Sequence, residues 1–290
     1  MAFIKTLTAA AVGFTLALGA QAACLTQAQV QEMADHYFAK TPAPNFAKQS
    51  DKDAACTRAR FNKLLAAHYG KVVGYKAGLT NPATQKKFHT DQPVWGVLYQ
   101  GMIQPSGFST APSFGARPLF EADMLVRVKD AGVNHARTPE EVMQHIDQVI
   151  PFIELPDLVV QAPPKLDGAG VGAINVGARL GVAGTPIAVP ADRMDRYVML
   201  AQLAHMNIKV TNQQGEQIGA GKGSDILEHP LNAVVWLAQA LRKEHKQMKP
   251  GDLISLGSFS ALMPPKPGLT ATVTYEGLAG AQPVTVNFMK

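Results

Sequence analysis

The feature that most constrains the fold of this chain is a pair of acidic residues inside an apolar segment with the pattern of a β-strand. Residues 120–128 read FEADMLVRV, and every even position is apolar. Because strand side chains alternate between the two faces, Glu121 and Asp123 share the face opposite these apolar positions. Two carboxylates so close repel each other and need water or a cation. The pattern leaves two interpretations open, a solvated strand face or a site for a hard cation such as Mg²⁺ or Mn²⁺, which prefers oxygen ligands.

A third carboxylate, Glu154, lies in a segment that looks apolar on both faces. Residues 149–156 read VIPFIELP, and we predict a strand at 153–160. An isolated buried carboxylate is costly and takes up a proton unless it has a partner. A metal ion, an arginine or a backbone cap would each provide that partner.

The first 22 residues have the pattern of a cleavable export signal. Lys5 supplies a positive charge, residues 7–18 are apolar, and residues 20–22 read AQA, a small-residue cleavage site. The apolar stretch is too short to span a bilayer. A buried N-terminal helix is the alternative interpretation. We expect cleavage after Ala22, a periplasmic or secreted protein, and no membrane attachment after cleavage.

The chain has two cysteines, Cys24 and Cys56, and both would remain after cleavage. An oxidising compartment favours a disulfide between them, and two free buried thiols are the alternative.

After the signal, the pattern predicts a helical subdomain at 23–70 and a strand-rich domain at 71–290. One helix is predicted from a capping box at Thr26 to Pro42, and a second at 53–69 with Gly70 as the C-cap. A third begins at a cap at Thr138 and has an apolar stripe at 142, 143, 146, 149 and 150, and a fourth covers 229–242. Strands are predicted at 72–75, 120–128, 153–160, 253–257, 271–275 and 284–288, with a hairpin at 207–219. Residues 219–223 are read as a tight turn. Many short strands with few helices indicate a mixed α+β fold rather than a doubly wound one.

Charge and motifs exclude several classes of function. The formal net charge is +5, but the basic residues are scattered and form no stripe with interleaved aromatics, so we expect no nucleic-acid partner. The sequence has no nucleophile elbow, no phosphate-binding loop and no dinucleotide fingerprint. The histidines form no metal-binding pair at helical or strand spacing.

Six segments, taken in chain order, resemble motifs of one family. They are residues 73–80 (VGYKAGLT, like GxKxGLT), 91–98 (DQPVWGVL, like DQPxxGxL), 121–123 (EAD, like ExE), 153–154 (IE), 229–237 (HPLNAVVWL, like HPLNAxxWL) and 251–257 (GDLISLG, like GDxxxxG). Together they resemble the hydratase/decarboxylase branch of the fumarylacetoacetate hydrolase superfamily. The resemblance covers about residues 26–290.

The resemblance implies a rolled, mixed β-sheet catalytic domain with a small N-terminal helical subdomain. It implies Mg²⁺ or Mn²⁺ bound by Glu121, Asp123 and Glu154. It also implies catalytic roles for Lys76, which would hold the substrate carboxylate or move a proton, and for Asp91, which would act as a base or position a water. The substrate would be a small-molecule 2-oxo acid, and the protein would form a homo-oligomer.

These features predict a metal-dependent lyase that adds water to an unsaturated 2-oxo acid or removes CO₂ from it. Two alternatives stay open, a hydrolase that cleaves a C–C bond of a diketo acid and a non-catalytic protein that binds 2-oxo acids. The sequence departs from the family at Asp123, where Glu is usual, and at residues 174–177, where INVG replaces DNAS.

Overall fold

The computed structural model describes residues 23–290 and contains seven α-helices in that range. They are α1 (Gln27–Ala39), α2 (Asp51–Tyr69), α3 (Pro82–Lys87), α4 (Pro139–Gln144), α5 (Gly168–Ala173), α6 (Arg193–His205) and α7 (Asn232–Lys243). The capping box at Thr26 is confirmed, because its side chain accepts from the Gln29 backbone while the Gln29 side chain returns to the Thr26 backbone. The cap at Thr138 and the C-cap at Gly70 are confirmed as well. The predicted signal falls on residues 1–22 and lies outside the described residues.

Thirteen strands in the described range build two sheets. They are β1 (Val72–Gly78), β2 (Val94–Tyr99), β3 (Ile103–Pro105), β4 (Phe108–Thr110), β5 (Glu121–Val128), β6 (Ile146–Leu155), β7 (Leu180–Ala183), β8 (Ile187–Ala188), β9 (Asn207–Thr211), β10 (Gln217–Lys222), β11 (Leu253–Ser255), β12 (Thr270–Glu276) and β13 (Val284–Phe288). The larger sheet has the order β2-β1-β11-β5-β6-β7-β3, with β8 paired to β6, and the smaller sheet has the order β10-β9-β12-β13-β4. Parallel pairs (β1 with β11, β3 with β7, β13 with β4) stand among antiparallel ones, so the mixed, curled α+β fold is confirmed.

Two sequence-based assignments are wrong, and the strand predicted at 153–160 is displaced, because strand β6 covers Ile146–Leu155. The helix that starts after Thr138 ends at Gln144, and the apolar residues 146, 149 and 150 belong to strand β6 instead. The strand is buried on both faces, and an apolar run without alternation cannot be told from a buried helix by its period. The glycine-rich stretch 219–223 is not a tight turn, because residues 217–222 form strand β10 of the predicted hairpin.

The two N-terminal helices pack on the same apolar core as the sheets. Tyr37 of α1 and Phe61 of α2 are fully buried in it. The Tyr37 hydroxyl donates to the Ala178 carbonyl at 2.9 Å, and the Arg179 guanidinium lies over the Tyr37 ring at 4.2 Å. The core is therefore continuous across the predicted boundary between 23–70 and 71–290, and that division stays a prediction.

Cys24 and Cys56 are joined by a disulfide, with their Cα atoms 5.7 Å apart. The bond ties the segment that precedes α1 to the first half of α2. No helix of residues 23–290 has the length and apolar character needed to cross a bilayer.

Candidate metal centre

The pairing of β5 with β6 brings the three predicted carboxylates to one face of the larger sheet. In this antiparallel pair Glu121 stands directly opposite Glu154, and Asp123 stands opposite Phe152. Residues directly opposite each other on neighbouring strands point to the same face, and so do residues two apart on one strand. Glu121, Asp123 and Glu154 therefore share one face, as the sequence predicted for the first two.

Burial decides between the two interpretations of the acidic strand. The relative exposure is 7% for Glu121, 0% for Asp123 and 3% for Glu154. Strands β5 and β6 lie inside the larger sheet and are covered, so the solvated strand face is excluded. Three buried carboxylates need compensating groups.

Lys76 of strand β1 is the buried cation of this site. Its exposure is 2%, and its ammonium group forms an ion pair with Glu154 Oε1. The same ammonium donates to the Val176 carbonyl at 3.0 Å. The protein partner of Glu154 is thus a lysine, whereas the sequence suggested an arginine or a backbone cap as the alternatives to a metal.

Asp123 is held by the end of strand β11. Its Oδ2 accepts from the Ser255 hydroxyl at 2.5 Å, and its Oδ1 accepts from the backbone N–H groups of Met124 at 2.6 Å and Gly257 at 3.0 Å. An ionised carboxylate has about four lone-pair sites, so these three hydrogen bonds leave room for one more ligand.

The electrostatics of the site show a shortage of positive charge. Burial raises the pKa of Glu121 well above its usual range, and the neighbouring Glu154 raises it further, while Lys76 lowers it. Burial likewise raises the pKa of Asp123 to about 8, with Glu154 again adding to the effect and the hydrogen bond from Ser255 opposing it. Both carboxyl groups therefore disfavour ionisation in the protein without a cation.

The donor set fits a divalent cation. If all three carboxylates are ionised, three negative charges face the single positive charge of Lys76, and two further positive charges restore neutrality. The donors are all carboxylate oxygens, which Mg²⁺ and Mn²⁺ prefer. As the side chains stand, however, no group of three or more His, Cys, Asp and Glu residues within 23–290 is gathered around one point. The reason is that Glu154 turns to Lys76 and Asp123 turns to β11, so the ligand assignment stays a prediction.

A cavity of about 50 Å³ opens above this face. Lys76, Glu121, Thr80 and Ser258 line it, and apolar side chains such as those of Leu79 and Phe88 enclose it. It borders a wider groove of about 910 Å³, because Asn81, Thr84 and Leu262 line both. Of the three acids, Glu121 lines the cavity, whereas Asp123 and Glu154 lie on the same sheet face without lining it. The groove beside the cavity is large enough for a small molecule.

The segment after α5 carries backbone strain beside the cavity. Asn175 and Val176 both have positive φ angles, 56° and 54°, which a β-branched residue such as Val rarely adopts. In this conformation the Val176 carbonyl meets Lys76, and the Asn175 side chain bonds both the N–H and the C=O of Val97 in β2. The INVG segment thus orients Lys76 although it lacks the acid and hydroxyl of the DNAS pattern.

Asp91 differs from the other four predicted site residues, which are all buried. It is exposed in the loop before β2, and it is absent from the residues that line the cavity in the described part of the chain. Its catalytic role stays a prediction.

Sequence reasoning missed four residues that complete the site: Thr80, Val176, Ser255 and Tyr275. The first three lie in or beside segments that the motifs marked. Tyr275 lies in the other sheet, and no local pattern indicates that its hydroxyl reaches β5 and β6. His229, within the HPLN motif, is a helix-start residue here, because its Nδ1 accepts from the Leu231 N–H at 3.1 Å.

Sequence comparison with characterised proteins finds hydratases and decarboxylases as relatives of this chain. The chain is 29% identical over 200 residues to a 2-keto-4-pentenoate hydratase of Paraburkholderia xenovorans (strain LB400), covering 68% of this chain and 70% of the relative. It is 29% identical over 208 residues to a 4-oxalocrotonate decarboxylase of Pseudomonas putida, covering 72% and 75%. No protein-family model matches the sequence.

Solved structures show the same fold. A 4-oxalocrotonate decarboxylase from Pseudomonas putida G7, complexed with magnesium and adipate, matches with a TM-score of 0.79 at 24% identity and covers 92% of this chain and 100% of its own. A fumarylpyruvate hydrolase from Pseudomonas aeruginosa, in complex with Mn²⁺ and pyruvate, matches with a TM-score of 0.52 at 14% identity and covers 76% and 89%. The resemblance indicated by the six motifs is confirmed.

Proposed function

We propose that this relative of the hydratase/decarboxylase branch of the fumarylacetoacetate hydrolase superfamily is a metal-dependent lyase that acts on an unsaturated 2-oxo or 2-hydroxy acid. The reaction is hydration, as in 2-keto-4-pentenoate hydratases, or the related decarboxylation. The observation that carries the proposal is the set of three buried carboxylates and one buried lysine on one sheet face beneath a cavity.

Glu121, Asp123 and Glu154 would hold the divalent cation, Mg²⁺ or Mn²⁺. When bound, such a cation polarises the oxo group of a 2-oxo acid and eases loss of the neighbouring proton. Three carboxylates with one spare coordination site on Asp123 supply the negative charge that this ion requires.

Lys76 would interact with the anionic end of the substrate. Its ammonium is fixed between Glu154 and the Val176 carbonyl, and the residue lines the cavity. From this position it can bind a carboxylate, or give up and recover a proton during the proton shifts of hydration and decarboxylation. The apolar walls at Leu79 and Phe88 exclude bulk water and strengthen these electrostatic contacts.

The proposal is tested by turnover of 2-hydroxypenta-2,4-dienoate and of 4-oxalocrotonate by the full chain after metal removal and after addition of Mg²⁺ or Mn²⁺. We expect turnover of one substrate that depends on the metal and falls by at least about a hundredfold in Glu121→Gln and Glu154→Gln. Glu276→Gln is the matched control, because Glu276 forms only an exposed ion pair with Lys209. Oxalate binding without turnover of either substrate would instead identify a non-catalytic binding protein.

We also propose that the chain is exported. The signal pattern of residues 1–22 and the Cys24–Cys56 disulfide support an oxidising compartment. Fractionation of bacterial cells that express the full chain, with N-terminal sequencing, should recover a periplasmic or secreted protein that starts at Ala23. A protein that stays in the cytoplasm with residues 1–22 intact would contradict this.

A further inference from the structure

The Thr80 hydroxyl stands out among the buried polar groups of the cavity. Thr80 is 1% exposed, and its Oγ1 has no hydrogen-bond partner. Two other buried side-chain oxygens within residues 23–290 lack partners, on Gln49 and Asn62, but neither residue lines the cavity. A buried hydroxyl without a partner costs free energy, so its presence requires a reason.

The buried hydroxyl groups near Thr80 have hydrogen-bond partners, whereas the Thr80 hydroxyl has none. The buried hydroxyls of Ser255 and Ser258 each donate a hydrogen bond within the protein, to Asp123 and to the Ser260 carbonyl. Thr80 lines the same cavity as Ser258, Lys76 and Glu121 but donates to nothing. The Thr80 hydroxyl is therefore a free hydrogen-bond donor in the wall of the cavity that would hold an anionic molecule.

The backbone around Thr80 holds the hydroxyl in this place. Leu79 has a φ angle of 55°, an unfavourable conformation for a residue with a side chain, and it directly precedes Thr80. On the other side, a Cβ at Gly257 would collide with the Thr80 hydroxyl, so only glycine fits there. The N–H of that glycine donates to Asp123, which places Thr80 beside the carboxylate group.

We propose that the Thr80 hydroxyl binds the substrate, by donating a hydrogen bond to an anionic oxygen of a 2-oxo acid in the cavity. The proposal rests on the proposed function, because it takes the occupant to be a 2-oxo acid. A hydrogen bond to a charged oxygen is stronger than one between neutral groups, so the bound acid supplies the partner that the free protein lacks.

The test compares Thr80→Val and Thr80→Ser in the full chain, with Thr57→Val as the matched control. Thr57 is also fully buried, but its hydroxyl accepts from the Leu25 N–H and from the Gln49 side chain, both at 3.0 Å. Melting temperatures are measured without metal or ligand. Oxalate, which carries the adjacent oxygens of a 2-oxo acid head, is titrated by calorimetry with Mg²⁺ in excess.

We expect Thr80→Val to melt at the wild-type temperature or higher, because it removes a hydroxyl that has no partner. The same variant should bind oxalate about ten- to a hundredfold more weakly, while Thr80→Ser stays close to wild type. Thr57→Val should melt at a lower temperature and bind oxalate as wild type does.

Wild-type oxalate affinity in Thr80→Val overturns the proposal at any melting temperature. A weaker affinity that comes with a fall in melting temperature as large as that of Thr57→Val also overturns it, because the hydroxyl would then have a partner in the free protein. A wild-type protein that binds no oxalate overturns it too. Failure of the proposed function is a separate result, in which wild type binds oxalate but converts neither substrate.

Discussion

Lys76 and Glu154 form an ion pair in which neither side chain is more than 4% exposed. Taking two charges out of water is expensive, and a hydrophobic pair would stabilise the fold at least as well. A role in the reaction therefore explains this ion pair better than a contribution to the stability of the fold does. The lysine is the buried charge partner of Glu154, and it also lines the cavity in which the substrate is proposed to bind.

Substitution of Lys76 and of Glu154 should have opposite effects on metal affinity. Lys76→Met removes a positive charge that repels a divalent cation, so Mg²⁺ should bind as tightly as in wild type or more tightly. Turnover should still fall by about a hundredfold or more, because the group proposed to bind the substrate carboxylate or to move a proton is lost. Glu154→Gln should weaken Mg²⁺ binding and turnover together. Calorimetric titration of Mg²⁺ alongside turnover checks both, and a loss of metal binding in Lys76→Met would show that the lysine only supports the ligands.

At the scale of elements, Tyr275 joins strand β12 of the smaller sheet to β5 and β6. Its buried hydroxyl donates to the backbone carbonyl of Asp123, lies 2.9 Å from the Phe152 carbonyl and accepts from the Phe152 N–H at 3.1 Å. Burial raises the pKa of Tyr275 above its usual range, so the hydroxyl keeps its proton. The second sheet thereby fixes the strand pair that carries the acids.

Tyr275→Phe should lower the free energy of unfolding by about 1 to 3 kcal/mol, because buried backbone groups of Asp123 and Phe152 lose their partner. Chemical denaturation of the metal-free protein measures this. Tyr197→Phe is the control, since the exposed Tyr197 hydroxyl contacts only Arg193 at the surface, and it should change the stability by less than about 0.5 kcal/mol. Equal effects of the two substitutions would contradict the role given to Tyr275.

The start of helix α7 should make stability sensitive to acid. Burial lowers the pKa of His229 below its ordinary value of 6.5. Its Nδ1 accepts from the Leu231 N–H, a bond that protonation removes. Because the folded state binds the proton less readily than the unfolded state, the contribution of His229 is fully present above about pH 6.5 and is lost as the pH falls below it.

His229→Asn keeps an acceptor near the Nδ1 position but does not titrate. We expect its stability to depend less steeply on pH between 6.5 and 5 than that of wild type, although it starts lower because the contact with the Leu200 carbonyl is lost. His135→Asn, at an exposed position, should keep the wild-type slope. Parallel slopes for wild type and His229→Asn in denaturation series would refute the assignment.

At the scale of the whole molecule, the disulfide restrains the unfolded chain. Cys24 and Cys56 are 32 residues apart, and a closed loop of that length removes conformational freedom worth about 3 to 4 kcal/mol. The double variant Cys24→Ser with Cys56→Ser should lose about that much free energy of unfolding, while turnover at low temperature stays the same because neither cysteine lines the cavity. Reduction of wild type should reproduce the loss. A reduced protein as stable as the oxidised one would contradict the prediction.

The homo-oligomer that the family resemblance implies stays a prediction. Sedimentation analysis of the purified chain checks it, and a single species at the monomer mass of 30.9 kDa, less the signal, would refute it.

Much of the fold could be predicted because the signals are local. The capping box at Thr26, the N-cap at Thr138, the Gly70 C-cap and the alternation in residues 120–128 each involve contacts within a few residues. The helix predicted across residues 146–150 failed because strand β6 is buried on both faces, and its apolar run carries no period that separates strand from helix.

The sequence by itself determined which residues are acidic within apolar strands, and hence that Glu121, Asp123 and Glu154 need compensation. Only the tertiary structure decided what compensates them. The Lys76–Glu154 pair, the Ser255–Asp123 bond and the Tyr275–Asp123 bond join residues 78, 132 and 152 positions apart. Such contacts follow from the order of strands in the sheets and from the packing of one sheet on the other, and no local spacing of residues encodes that order.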